Sequence, residues 1–93
     1  MQETRAFMLR KHKEENDEEF LANLGEAIRI RRLALGLSQE DVAARASVHR
    51  TYLSDIERGT RNITVGMLAQ VAGALQMKLA HLTRLAEAAK EDE

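Results

Sequence analysis

Residues 37–62 read LSQEDVAARASVHRTYLSDIERGTRN, and the caps and apolar positions in this run decide the fold. Ser38 is a good N-cap, because its hydroxyl can accept a hydrogen bond from a free backbone N–H of the first helical turn. Asp41, at the third helical position, brings a carboxylate to the positive end of the helix dipole. Val42, Ala43 and Ala46 recur at three- and four-residue spacing, which makes one narrow face apolar and small. The chain turns through Ala46, Ser47 and Val48. A second helix begins near His49 or Arg50, buries Leu53 and Ile56, and ends at Gly59, which can take the left-handed cap conformation.

Two short helices that meet through an alanine face after a turn of this length form a helix-turn-helix. The stretch resembles the helix-turn-helix of the Xre/Cro family of phage-repressor-like regulators, on the strength of Leu37-Ser38-Gln39-Glu40, the apolar register and Ile56-Glu57-Arg58-Gly59. Within that family, Arg50-Thr51-Tyr52-Leu53-Ser54, followed by Ile56-Glu57-Arg58 and Arg61-Asn62, is most similar to the controller proteins of restriction–modification systems. The resemblance covers residues 24–82. It implies an all-α fold: a five-helix, phage-repressor-like domain, here with an extra N-terminal segment.

Composition agrees. Ninety-three residues without proline, cysteine or tryptophan, and with two Phe and one Tyr, suit one small helical domain with an aliphatic core. The lack of cysteine removes any disulfide framework or thiolate metal site. No apolar run approaches the roughly 20 residues that span a membrane, and no signal-peptide pattern opens the chain, so a cytoplasmic protein is expected. The net charge of −1 argues against a polyanionic partner until its distribution is read. Residues 24–82 carry eight Lys or Arg against five acids, whereas residues 1–23 and 83–93 each carry two more acids than bases. A basic core between acidic ends can meet phosphates on one face, with modest non-specific affinity.

Ahead of the motif, residues 1–16 read as an arm. Ala6, Phe7, Met8 and Leu9 form an apolar cluster before the basic patch Arg10-Lys11-His12-Lys13. Three readings stand: a frayed arm, a short helix that packs on the domain or on a second subunit, and a basic arm reaching DNA. The acidic run at residues 14–19 counts against the last. Asn16 and Glu19 have the form of a capping box, which places the start of the first helix near Asn16 or Asp17 and the domain at residues 17–89. Phe20, Leu24, Ala27 and Ile28 make its core stripe, Arg31, Arg32 and Leu35 follow, and Gly36 stops it. Ile30 and Leu33 lie off the stripe and are candidates for a docking surface.

Behind the motif, Thr64 caps a fourth helix, with Ile63 and Leu68 placed as a hydrophobic staple. Val65, Leu68, Val71, Ala72 and Leu75 are expected to face the core. The related domains usually end this helix with Gly and begin the next with Ser, Asp or Asn. Gln76 and Lys78 stand here instead, which predicts that helices four and five join through a kink. Leu79, Leu82, Leu85 and Ala86 form the last stripe, and residues 90–93 are an acidic tail.

The resemblance implies that the helix from Arg50 enters the major groove of double-stranded DNA. Arg50, Thr51, Ser54 and Asp55 would face base edges and nearby phosphates, with Tyr52 in the same run. Gln39 would hold a phosphate through its amide and its helix N-terminus, and Arg58, Arg61 and Asn62 would flank the backbone. Asp55 stands out, because a carboxylate in the groove can only accept hydrogen bonds; its other role is to orient Arg50 or Arg58. The resemblance also implies a buried ion pair between Arg32 and Glu57. Met77, Leu85 and part of residues 86–89 remain as apolar surface once Leu75, Leu79 and Leu82 serve the core, and they predict a homodimer through helix five and the end of helix four. The expected function is a dimeric, sequence-specific transcriptional regulator. Two other readings are an antitoxin that also represses its own operon, with the N-terminal arm holding a protein partner, and a protein-interaction module of the same fold. His12, His49 and His81 lie far apart, and no metal-ligand spacing or phosphate loop is present, so no metal, cofactor or enzymatic activity is expected.

Overall fold

The structure, a computed structural model, describes the backbone of residues 2–91 and the side chains of residues 17–89. The described residues form five helices and no strand: α1 (Gln2–Ala34), α2 (Gln39–Ala46), α3 (Arg50–Arg58), α4 (Val65–Ala74) and α5 (Leu79–Glu91). Helix α1 packs along α5 and against α3, α2 rests on α3 and α4, and α4 meets α5.

Local chemistry starts α2 and stops α3. The Asp41 N–H donates to Ser38 Oγ at 3.0 Å, and the Ser38 N–H donates to Asp41 Oδ2 at 2.9 Å. This is a capping box with Asp where Glu is usual. The Ser38 backbone N–H, and after it the Ser38 side chain, holds the Asp41 carboxyl below its ordinary 3.8. Ser47 ends α2 in the left-handed conformation, at φ 58°, and the Val48 N–H reaches back to Ala43 O at 2.9 Å. Helix α3 has only nine residues, too few to be helical alone in water. It is held by the burial of Leu53 and Ile56, each contributing about 1.5–3 kcal/mol.

Two glycines let α1 touch the end of α3. Gly59 closes α3 at φ 73°, and a Cβ there would stand 2.7 Å from Ala22 Cα. A Cβ on Gly25 would stand 2.4 Å from the carbonyl oxygens of both Ile56 and Glu57. Any larger residue at either position would push the helices apart. Leu24 and Ile28 on α1, Val42 and Ala46 on α2, Val71 and Leu75 on α4, and Leu82 and Ala86 on α5 fill the core around Leu53 and Ile56.

Three expectations are corrected. Helix α1 does not start at Asn16 or Asp17; its backbone is helical without a break from Gln2. No Gly or Pro precedes Gly25, and a lone Asn in a run of Glu, Lys, Arg and Ala costs only tenths of a kcal/mol, so nothing stops the helix. The side chains of residues 6–13, of the Asn16 capping position and of the acidic tail at 90–93 lie outside those described. Helices α4 and α5 do not join through a kink. Gln76 takes the left-handed conformation at φ 55°, and its N–H and that of Met77 return to Gly73 O and Ala72 O, both at 3.0 Å. Val65 is not in the core: it is 73% exposed, because it is the first residue of α4 and the buried stripe begins one turn later, at Leu68.

Candidate nucleic-acid interface

Helix α3 is anchored along one face and open along another. Leu53, Ile56 and Glu57 are buried. Arg50 and Thr51 on the first turn and Arg58 on the last are exposed, as are Arg61 and Asn62 in the loop that follows. Tyr52, Ser54 and Asp55 are half-buried along the boundary. His49 caps the helix with its backbone alone, so its imidazole plays no part in starting α3.

A polar relay runs from the interior to this face. Arg32 Nε donates to Glu57 Oε2 at 2.7 Å and its NH2 donates to Oε1 at 3.1 Å. The pair is bidentate, and both residues are under 10% exposed. The remaining guanidinium nitrogen donates to Leu37 O at 2.9 Å. Hydrogen bonding to Glu57, reinforced by charge attraction, raises the Arg32 pKa above its ordinary value. Gln39 Nε2 donates to Glu57 Oε1 at 3.1 Å, and Arg50 NH1 donates to Gln39 Oε1 at 3.4 Å. Gln39 therefore links the buried carboxylate to the arginine that opens α3. Its side chain is turned onto the protein, with one amide hydrogen and the α2 N-terminus left for a phosphate.

A second cluster lies on the surface. Asp55 accepts from Arg58 NH2, and its other oxygen accepts from Arg61 NH2 at 3.2 Å. Arg58 NH1 also donates to Ser54 Oγ at 2.8 Å. The Arg61 guanidinium sits 4.8 Å over the centre of the Tyr52 ring, a cation–π distance. Asp55 thus orients Arg58 and Arg61, not Arg50. One carboxylate among Arg50, Arg58 and Arg61 leaves the face cationic, with most guanidinium N–H groups pointed at solvent. Such a surface can clamp phosphates and send one planar fork toward base edges.

Met77 and Leu85 are brought together elsewhere. With Ala27, Ile30 and Ala34 of α1 and Ala89 of α5 they line an apolar groove of about 320 Å³. Ile30 and Leu85 are 57% and 41% exposed, and Leu33 on α1 is 51% exposed. Two structural roles are not legible from the motif. Gly25 has a sequence signal, since a glycine inside a strong helix former marks a close approach. Arg31, whose guanidinium reaches the end of α4, has none.

The family profile described as Helix-turn-helix matches residues 28–82, more than half of the chain. The protein belongs to the helix-turn-helix family. Among individual proteins it is similar to the control protein C.BamHI of Bacillus amyloliquefaciens, with 44% identity over 52 residues, covering 55% of this chain and 64% of that protein. The chain thus spans just under two thirds of that relative's length. Among solved structures it is similar to the restriction-modification controller protein C.AhdI from Aeromonas hydrophila, with 35% identity and a TM-score of 0.65 over 67% of this chain and 94% of that one. It is also similar to the controller C.Esp1396I, solved as a tetramer on its natural 35-base-pair operator, with 31% identity and a TM-score of 0.67 over 72% and 88% of the two chains. Among the described residues no helix is long and apolar enough to cross a membrane.

Proposed function

We propose that this protein is a sequence-specific transcriptional regulator that binds a two-fold operator as a homodimer, in the manner of the restriction–modification controllers it resembles. The observation that carries the reading is the presentation of α3. Its inner face is locked by Leu53, Ile56 and the Arg32–Glu57 pair, while Arg50 and Thr51 stand exposed on its first turn. A rigid helix with a cationic, exposed N-terminal turn suits entry into the major groove.

Arg50 is the base reader, since its fork can pair with O6 and N7 of one guanine, and the Thr51 methyl can rest on a thymine methyl. Tyr52, Ser54 and Asp55 shape the border of the contact. Gln39, Arg58, Arg61 and Asn62 meet phosphates, which fix register without reading sequence. The groove around Met77 and Leu85 is covered by a second copy, placing the two recognition helices about 34 Å apart, one duplex turn.

Selection of bound duplexes from a random pool tests this. A recovered site with two-fold symmetric half-sites one turn apart is expected, and an unstructured pool would refute sequence-specific binding. On the recovered site, Arg50→Ala should cost about 1–3 kcal/mol of discrimination at one base pair per half-site. An equal loss on operator and on random duplex would make Arg50 a phosphate clamp instead. Sedimentation at tens of micromolar should report a dimer.

A further inference from the structure

The turn between α4 and α5 carries a left-handed residue that is not glycine, and a side chain from α1 reaches it. Gln76 sits at φ 55°, a region that a residue with a Cβ enters reluctantly. Its N–H and that of Met77 close the end of α4 by bonding back to Gly73 and Ala72. The carbonyls of Leu75 and Gln76 at this turn find their donor on α1. Arg31 takes both: Nε donates to Leu75 O at 3.1 Å and NH2 donates to Gln76 O at 3.4 Å. A guanidinium there also complements the negative end of the α4 dipole.

The same arginine lines the apolar groove beside Met77 and Leu85. One side chain therefore fixes the backbone at which α5 leaves α4 and borders the surface that α5 offers. Helix α1 packs on both α5 and the recognition helix α3, while α4 packs on α2 and meets α5. The turn at Gln76 fixes where α5 starts along α1, and so the shape of the groove between them. In a two-fold dimer formed on that groove, a shift of α5 along α1 changes the angle between protomers and the separation of their recognition helices on the duplex.

We infer that Arg31 is a positioning residue that sets the half-site spacing the dimer accepts, by clamping the left-handed turn at Gln76. The inference rests on the dimer reading given above. It places Arg31 away from DNA and makes the Gln76 backbone the part through which it acts.

The experiment measures binding of the wild type, Arg31→Ala, Arg31→Gln and the double variant Arg31→Ala with Gln76→Gly. The probes are the operator, operators with one base pair added or removed between half-sites, and a duplex bearing a single half-site. Arg31→Ala, which loses both contacts in each of the two turns, should bind the operator roughly tenfold more weakly. It should also lose much of the preference for native spacing and bind the single half-site as the wild type does. Glycine enters the left-handed region without a Cβ penalty, so Gln76→Gly should restore the spacing preference in the double variant. Arg31→Gln, which keeps a shorter donor, should fall between and serves if the alanine variant is poorly folded. A preference unchanged in Arg31→Ala, an equal loss on the single half-site, or no recovery with Gln76→Gly would each overturn the inference. A wild type with no spacing preference would overturn the dimer reading itself, and this inference with it.

Discussion

Asp55 and Glu57 are two residues apart on α3, carry the same charge and each bind arginine, yet they serve opposite ends. Two residues of α-helix turn the side chain by about 200°, which puts Glu57 toward the core and Asp55 toward the solvent face. The Glu57 side chain is 4% exposed and both its oxygens are taken by Arg32, with Gln39 sharing one of them. The Asp55 side chain is 19% exposed and its arginines are half or more exposed. Around Glu57 every guanidinium nitrogen of Arg32 has an acceptor and both side chains are buried, so the pair is a rivet between α1 and α3. Around Asp55 the arginines are held but not used up, which in the function proposed above makes the cluster a phosphate clamp. Solvent access, not residue type, separates the two roles.

The comparison can be broken most visibly at the rivet. Glu57→Ala leaves the Arg32 guanidinium buried without its carboxylate, and should cost about 3–5 kcal/mol of stability, read by chemical denaturation. Glu26→Ala removes an exposed partner of Arg29 at 3.4 Å and should change stability by less than about 1 kcal/mol. Similar small losses for both would mean that the Glu57 pair is no rivet.

Arg61→Ala should leave stability nearly unchanged and act on DNA. Operator and random duplex should both weaken, and the log–log salt slope should shrink by roughly one per lost phosphate contact in each half-site. A slope equal to that of the wild type would remove Arg61 from the clamp.

Asp55→Asn sharpens the contrast further. It removes the acceptor charge that orients Arg58 and Arg61, with a stability change under about 1 kcal/mol. The face becomes one charge more positive per protomer. Binding to random duplex at low salt should strengthen while the ratio of operator to random binding falls. A drop in random binding would show that orientation by Asp55 outweighs its repulsion of phosphate.

The smallest effect is expected at the α2 cap, where the Asp41 carboxyl titrates below 3.8 in the folded chain. The folded state thus takes up that proton less readily than the unfolded chain. The resulting stabilisation is complete above the unfolded value and is lost as pH falls through 3.8 toward the lower folded value. Asp41→Asn should therefore lower stability slightly at neutral pH and reduce the loss of stability on acidification. An unchanged acid limb in the melting temperature would count against the cap as its source.

Features that depend on neighbours within about four residues were legible in the sequence. The Ser38 cap, the apolar register of α2 and α3 and the stop at Gly59 are all short-range, and they suffice for the helix-turn-helix and the all-α class. The resemblance extended that to the residues of the cationic face. Short-range signals also misled: Asn16 and Glu19 look like a helix start, but without Gly or Pro nearby the helix runs through them. Where the long polar side chains end depends on which helices pack together. Gln39 looks to Glu57 and Arg50, Arg61 lies over Tyr52, and Arg31 reaches carbonyls more than forty residues away in the chain. The same holds for the α4–α5 turn, where Gln76 and not a glycine takes the left-handed position. The difference is one of reach. A cap or an apolar stripe is specified by adjacent residues, whereas a guanidinium on a flexible stem takes whatever acceptor remote helices bring within about 3 Å of it.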